Sequence, residues 1–296
     1  MERLCARLAA GEPLGDDDAA DLAATADILA LGMLADEARR RRHGAETTYV
    51  RVADVTLSPE GGPISVPPAA REIRVSAGQA AVALLLPSLR DVVAAAGRVP
   101  VSAFSLADLQ AQARRSGKPL VELLRGIRQA GVTSIAEAPV DLLDEAEAAL
   151  DAVREAGLGL ARLTVHQQAE PAARVALIRR AAGLQHALGW LRSFAPLPRS
   201  WAAASRSTGY EDVRQIALAR LMADNIPSIQ VDWSLYGPKL AQVALTVGAD
   251  DLDAVSAVDD ETEGRRRAPL EEVRRNIQAA ALVPAERDGA YARIGR

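Results

Sequence analysis

Three side chains in this sequence, His166, Asp232 and Glu137, could together perform general acid–base catalysis. Each ends or follows a short run of apolar or β-branched residues of the kind that forms a strand. If those strands lie parallel in one barrel, their carboxyl ends meet and the three side chains face one cavity. A histidine at a strand end is also often only a hydrogen-bonded neighbour. A catalytic and a structural interpretation of His166 therefore both stay open.

Three further polar residues could bind a ligand beside this group. Arg206 and Lys239 could hold an anionic group, or could instead anchor the C-terminal segment by ion pairs. Ser234 comes two residues after Asp232, at the end of the same strand-like run. All three are predicted ligand-binding residues.

The run "GADDLD" contains three closely spaced carboxylates, those of Asp250, Asp251 and Asp253. Hard cations such as Mg²⁺ prefer carboxylate oxygens, so the run could form a cation site. It could instead organise a loop through bonds from side chains to the backbone. We favour the second, structural interpretation.

Other metal chemistry is not indicated by the sequence. The three histidines, His43, His166 and His186, form neither an HxH nor an HExxH pattern. Cys5 is the only cysteine, which excludes an intrachain disulfide and any site that needs several thiolates from this chain. We predict no metal site, and we interpret Cys5 as an inert thiol on an N-terminal helical arm.

The composition indicates a globular protein that does not bind nucleic acid. The 296 residues are 49% hydrophobic, enough to bury one large core. The net charge is −4 and only 3% of residues are aromatic, so neither a basic field nor stacking platforms are present. No apolar run is long enough to span a bilayer, and the acidic start lacks the order of a signal peptide. We expect a cytoplasmic protein with no membrane partner.

Strand-like runs alternate with helical patterns along the chain, which predicts an α/β fold. The candidate strands are "TYVRVADVTL", "REIRVS", "RVPVSAF", "VTSIAEA", "GLGLARLTVH", "WLRSFAPL", "IPSIQVDWSL" and "QVALTVG". So many units without a linker favour a complete or partial TIM-type (β/α) barrel over an open sheet. Gly131, Gly157 and Gly189 each follow a helical pattern, as helix C-caps do.

The predicted organisation has three parts. Residues 1–46 form an N-terminal helical arm of two helices with "ALG", residues 30–32, between them; residues 47–247 form the barrel; and residues 248–296 form a C-terminal capping segment. The segment "PEGGPISVPPAAREIRVSAGQ" interrupts the rhythm with prolines and glycines. It predicts a loop at the first crossover, on the side of the active site.

Several long motifs resemble a radical SAM subfamily that comprises aminofutalosine synthase, dehypoxanthine futalosine cyclase and the deazaflavin-forming FO synthase. They are "RSTG" from Arg206, "ARLMADNIP", "GPKLAQVAL" and "GADDLD", with "VSAFSLADLQAQARRSGKPLVELLRGIRQAGVTSI" and "DILALGMLADEARRRRHGAETTYV" upstream. The resemblance covers most of the chain. It implies a barrel fold and a relation to menaquinone biosynthesis by the futalosine pathway.

The resemblance also implies an iron–sulfur cluster for which this sequence lacks the ligands. In the family, a CxxxCxxC loop follows the first strand, and its three thiolates leave one iron of a 4Fe–4S cluster open for S-adenosylmethionine. The corresponding stretch here is "VRVADVTLSPEGG", which has no cysteine, and Cys5 lies far upstream. We expect no cluster and weak binding of S-adenosylmethionine.

A second family feature has also changed. Relatives carry a glycine run that ends in a carboxylate close to the cofactor, where this chain has "EAPVD" from Glu137 to Asp141. Asp141 could retain the ligand-binding role of that carboxylate, although Pro139 removes a backbone donor.

Two classes of function follow. The favoured one is a cluster-less homologue that acts by binding, either as a regulator that binds a small-molecule ligand or as the partner of an active radical SAM protein. Its protein partner would be that radical SAM protein or a second copy of the chain. The alternative is an enzyme that reuses the barrel pocket for acid–base chemistry on a nucleoside-like or other small molecule. The sequence shows the loss of one chemistry without a clear replacement, which favours binding.

Overall fold

Eight parallel strands close into a barrel in the computed structural model of the chain, which describes residues 4, 7, 10, 15–62, 64–78, 80–167, 170–199, 209–258 and 269–295. The barrel strands are β1 (Glu46–Thr56), β2 (Glu72–Ser76), β3 (Val101–Ser105), β4 (Ser134–Pro139), β6 (Leu163–Val165), β7 (Ser193–Pro198), β8 (Ser228–Asp232) and β9 (Asp251–Ser256). Pairing of β9 with β1 closes the circle. The predicted TIM-type barrel is confirmed in its complete form.

Two short strands accompany the barrel. β5 (Gly159–Leu160) pairs with β4 just before β6, and β10 (Val283–Arg287) pairs in parallel with the start of β1.

Helices alternate with the strands, as the sequence predicts. They are α1 (Asp16–Ala24), α2 (Ile28–His43), α3 (Val82–Ala96), α4 (Leu106–Ser116), α5 (Leu120–Gln129), α6 (Ala146–Glu155), α7 (Pro171–Leu188), α8 (Gly209–Met222), α9 (Trp233–Leu245) and α10 (Pro269–Ala279). No helix among the described residues is both long and apolar enough to cross a bilayer.

The N-terminal arm consists of α1 and α2, and α2 packs against α8. The predicted break at residues 30–32 is wrong, because α2 continues through it. The break lies before Ile28, where the Asp27 side chain accepts a hydrogen bond of 3.0 Å from the backbone N–H of Ala30. Asp27 thus caps the new helix, a local signal that outweighs Gly32 inside it.

One predicted strand is wrong. Most of "QVALTVG" belongs to α9, which ends at Leu245, because a short apolar run fits a buried helix as well as a strand. The eighth barrel strand is β9, and it includes the acidic end of "GADDLD". The barrel therefore extends into the segment that the sequence analysis assigned to a C-terminal cap.

The first crossover differs from the others. Between β1 and β2 the described residues contain no helix, in agreement with the predicted loop. Leu57 continues the strand direction by donating its backbone N–H to Ser76 O at 2.9 Å. The chain then turns back at Ser58, whose Oγ donates to Gly61 O at 3.2 Å.

Glycines end three of the barrel helices as predicted. Gly131, Gly157 and Gly189 have φ angles of +97°, +75° and +71°, the left-handed region that favours glycine. At Gly131 a Cβ atom would also lie 2.7 Å from the Val93 side chain, so a side chain there is excluded by packing as well.

The residues after β10 cover the amino end of the barrel. Arg287 forms a buried ion pair with Asp251, with N–O distances of 2.6 and 2.7 Å. The Tyr291 ring lies 4.2 Å from the Arg287 guanidinium, and its hydroxyl donates to Ala161 O at 2.6 Å. This confirms a C-terminal cap, at the end opposite to the strand carboxyl termini.

Candidate ligand site at the carboxyl end of the barrel

A cavity of about 820 Å³ opens where the barrel strands end. The wall residues at or near strand ends are Asp54, Thr56, Ser76, Ser105, Glu137, His166, Arg199, Asp232 and Ser234. One side of the cavity is formed by α4, through Asp108, Gln112 and Arg115. The site thus lies at the end where barrels of this type bind their ligands.

His166 and Glu137 form a close pair in the cavity wall, with Nε2 and Oε1 2.8 Å apart. Burial alone would raise the pKa of Glu137, but the hydrogen bond and charge of His166 outweigh it and lower that pKa to about 2. Burial would lower the pKa of His166, but Glu137 raises it above the ordinary value of 6.5. The pairing therefore favours an ionised Glu137 and a protonated His166.

Arg199 links the other charged groups of the wall. Its Nη2 lies 2.8 Å from Asp232 Oδ2, and its Nη1 donates to Asp253 Oδ2 at 3.1 Å. Its Nε lies 3.7 Å from Glu137 Oε2. The structure thus brings the three predicted catalytic residues to one wall, where Asp232 is connected to the His166–Glu137 pair through Arg199.

Asp232 has a second function as the N-cap of α9. Its Oδ1 accepts hydrogen bonds of 2.9 Å from the Leu235 backbone N–H and from Ser234 Oγ. A capping aspartate accepts hydrogen bonds in this way from the unpaired backbone N–H groups of the first helical turn. Ser234, a predicted ligand-binding residue, lines the cavity as expected while it is bonded to Asp232.

The floor of the cavity is a buried network of charges. Arg162 Nη2 donates to both oxygens of Glu72 at 2.9 Å, and Ser102 Oγ donates to Glu72 at 2.6 Å. Arg74 Nη2 donates to Asp253 Oδ1 at 2.8 Å. Barrel interiors are usually filled by branched apolar side chains, so this polar filling is a particular property of the chain.

The arginines keep the carboxylates of the floor ionised. Burial would raise the pKa of Glu72, but Arg162 and Arg74 lower it to about 2. The same balance holds the pKa of Asp253 well below its usual range, through Arg162, Arg74 and Arg199. Each buried charge is therefore matched by an opposite charge.

The remaining predicted site residues lie elsewhere. Asp141 is not part of the cavity wall; its carboxylate accepts the backbone N–H groups of His166 and Gln167, at 3.0 and 2.7 Å, and so positions the loop after β6. Lys239 is exposed on α9 away from the wall. Arg206 lies outside the described residues. The ligand-binding roles of Arg206, Asp141 and Lys239 stay predictions.

The carboxylates of "GADDLD" are used in ion pairs. Asp250 pairs with Arg220 and accepts the Ile229 backbone N–H at 2.8 Å, while Asp251 pairs with Arg287. Over the described ranges, no group of three or more metal-binding side chains is arranged around a common point. These contacts favour the structural interpretation of the run.

Sequence reasoning missed one carboxylate and the arginines around the floor, and it considered Asp253 only as part of the "GADDLD" run. The missed residues are Glu72, Arg74, Arg162 and Arg199. A signal was present in the period-two spacing of Glu72 with Arg74, and of Asp251 with Asp253, which places both members of each pair on one face of a strand.

The fold and the position of the cavity define a TIM-type (β/α) barrel with its candidate site at the carboxyl ends of the strands. The structure is similar to that of methylornithine synthase, with a TM-score of 0.66 and 13% identity over 95% of this chain and 97% of that one. It is also similar to the hydrogenase maturase HydG from Carboxydothermus hydrogenoformans, with a TM-score of 0.65. At this level of identity the likeness shows the fold.

The sequence comparisons identify the family. Residues 195–294 match the model of the CofH/MqnC C-terminal region. The chain is 30% identical to the 5-amino-6-(D-ribitylamino)uracil–L-tyrosine 4-hydroxyphenyl transferase of Archaeoglobus fulgidus, over 70% of this chain and 68% of that protein. It is 25% identical to the aminodeoxyfutalosine synthase of Thermus thermophilus, over 96% and 93%. The chain belongs to this family, which confirms the resemblance seen in its motifs.

The residues at the family's cluster position do not fit a 4Fe–4S cluster. A cluster of this kind needs three thiolates, whereas the loop after β1 offers hydroxyls and the Glu60 carboxylate, and Cys5 is the only thiol in the chain. At the carboxyl ends of β1 and β2, the hydroxyls of Thr56 and Ser76 hydrogen-bond to each other at 3.0 Å.

Proposed function

We propose that this chain is a non-radical member of its family that binds a small polar molecule in the cavity at the carboxyl end of the barrel. The observation that carries the proposal is the donor set after β1, which lacks the thiolates that a radical SAM cluster needs. The cavity nevertheless keeps an ordered set of polar groups and a volume typical of ligand sites.

The electrostatics of the wall support binding over catalysis. A general base works best when its pKa lies near the operating pH. Glu137, with a pKa of about 2, is a weak base, and the Asp232 carboxylate is held by Arg199 and by its capping bonds. Groups that are fixed and paired in this way can orient a ligand without exchanging protons with it.

The relatives suggest the chemical class of the ligand. Their names describe a ribitylaminouracil and futalosine derivatives as the molecules they use or make. A nucleoside-like molecule of this size fits a cavity of about 820 Å³, and its hydroxyl groups suit a wall of hydroxyls, carboxylates and arginines. We infer a nucleoside-like ligand, and weak binding of S-adenosylmethionine because no cluster iron would hold it.

The alternative function is acid catalysis by His166. The 2.8 Å contact with Glu137 raises the pKa of His166 and so favours a proton on the imidazole at the cavity wall. From there His166 could donate that proton to a leaving group or a carbonyl oxygen of a bound nucleoside-like substrate.

Blocking the cavity tests the proposal. Ala111 lies on α4 in the cavity wall, so Ala111→Trp should fill part of the volume, whereas Ala95→Trp places the same side chain on the exposed face of α3. Calorimetry with futalosine, adenosine and 5-amino-6-(D-ribitylamino)uracil should show binding to the wild type and to Ala95→Trp, and loss of binding to Ala111→Trp. Absence of binding to the wild type would contradict the proposal.

The same samples separate binding from catalysis. Mass spectrometry after long incubation should recover the bound compound unchanged. A product that forms with the wild type and not with His166→Asn would establish the alternative function. Light scattering of the purified chain tests the expected homodimer. Co-purification from a cell extract of the source organism tests the expected radical SAM partner.

A further inference from the structure

Asp54 is a solvent-exposed carboxylate in the cavity wall that has no partner among the described residues. It projects from β1 into the cavity and forms neither a hydrogen bond nor an ion pair with any described residue. The other strand-borne carboxylates of the wall differ in this respect. Glu137 is paired with His166, and Asp232 with Arg199.

Asp54 lies among other charged groups of the wall and floor. The charged groups with the strongest influence on it are one cation, Arg74, and the carboxylates of Asp253, Glu72 and Asp232. Arg74 is already bonded to Asp253 at 2.8 Å. Burial raises the pKa of Asp54, and Arg74 offsets this only in part. A positive group placed beside Asp54 would therefore relieve an unfavourable charge.

We propose that Asp54 anchors a protonated amine of the ligand, so that the cavity prefers nucleoside-like molecules with a primary amino group over their neutral counterparts. This rests on the proposed function, since it names the ligand class of the same cavity. An ammonium group would donate a charge-assisted hydrogen bond to the Asp54 carboxylate, the strong kind of polar contact in a partly enclosed site. Arginines at other parts of the wall, such as Arg115 and Arg199, would disfavour a second ammonium there.

Matched compounds and one isosteric variant test the assignment. Calorimetry would compare 5′-amino-5′-deoxyadenosine and 5′-amino-5′-deoxyuridine, each beside its N-acetyl derivative, against wild type, Asp54→Asn and Asp91→Asn. Asp91 is an exposed carboxylate on α3, outside the cavity, and serves as the control. Asn keeps the shape of the side chain and removes a charge that lacks a partner, so Asp54→Asn should fold, which circular dichroism would verify.

The expected result is that the amines bind the wild type and Asp91→Asn, that Asp54→Asn binds them about 10- to 100-fold more weakly, and that the N-acetyl derivatives gain nothing from Asp54. Equal affinity of an amine and its N-acetyl derivative, or amine binding that Asp54→Asn leaves unchanged, would overturn the assignment while leaving the proposed function intact. Binding of none of the four compounds, nor of the neutral nucleosides above, would overturn both.

Discussion

Arg162 Nη2 lies 2.9 Å from both carboxylate oxygens of Glu72, and the two side chains are 1% and 0% exposed. Because both charges have left water, each depends on the other for stabilisation. Arg162→Met should therefore leave Glu72 a buried charge with too few partners and lower the free energy of unfolding by about 3 to 5 kcal/mol. Urea denaturation followed by circular dichroism measures this loss.

A surface ion pair provides the matched control. Arg125 and Glu155 are 2.8 Å apart but are 52% and 61% exposed. Water screens such a pair, so Arg125→Met should cost less than about 1 kcal/mol. Equal losses in the two variants would show that burial of the Arg162–Glu72 pair does not matter.

The barrel and the gathering of its wall residues could be predicted from the sequence. Strand-like and helical periods alternate clearly along the chain. Because parallel strands place their carboxyl ends together, Glu137, His166 and Asp232 are expected at the same end of the barrel. These are local patterns combined with one rule of topology. For the same reason the C-capping glycines, such as Gly131, were identified correctly.

The charge network could not be predicted, because it depends on contacts between distant parts of the chain. Glu72 and Arg162 are separated by 90 positions, and their pairing is set by the barrel interior rather than by either strand. β9 was missed because its acidic start resembles a loop when its arginine partners are unknown. The hydrogen bonds from the His166 and Gln167 backbone N–H groups to Asp141 are likewise contacts that no sequence pattern reveals.

The His166–Glu137 pair should make stability depend on pH in two directions. The lowered pKa of Glu137 gives stability that is present above its ordinary value of 4.5 and is lost as the pH falls toward about 2. The raised pKa of His166 gives stability that is present below 6.5 and is lost as the pH rises through the higher folded value. The contribution of the pair should therefore be complete between about pH 4.5 and 6.5.

Thermal unfolding across this range, together with NMR titration of the His166 ring, measures the effect. Glu137→Gln should bring the pKa of His166 down and flatten both limbs of the profile. Glu147→Gln, a change at an exposed position of α6, should leave the titration of His166 as it is in the wild type. An unshifted His166 in Glu137→Gln would contradict the pairing.

Tyr291 should matter for stability and leave ligand binding untouched. Its buried hydroxyl contacts Ser193 Oγ at 2.5 Å and Ala161 O at 2.6 Å, and accepts from Gln230 Nε2 at 2.8 Å. Tyr291→Phe removes these hydrogen bonds, but Ser193 Oγ still donates to Ala161 O and Gln230 Nε2 still donates to Asp251, so the change should cost about 0.5 to 1.5 kcal/mol in urea denaturation. The affinity for nucleosides should stay at the wild-type value, because the cavity is at the other end of the barrel. A weakened affinity in a folded Tyr291→Phe protein would show that the two ends are coupled.

Anaerobic reconstitution with iron and sulfide should leave the protein without a bound cluster. A 4Fe–4S cluster of the radical SAM kind needs three thiolates within one loop, and the loop after β1 supplies none. Iron and sulfide analysis, with absorption spectra after desalting, should give the same low background for the wild type and for Cys5→Ser, since a lone thiol can bind iron only nonspecifically. Iron that approaches the stoichiometry of a four-iron cluster and survives in Cys5→Ser would mean that other side chains replace the thiolates. That result would contradict the proposal that the chain is a non-radical member of its family.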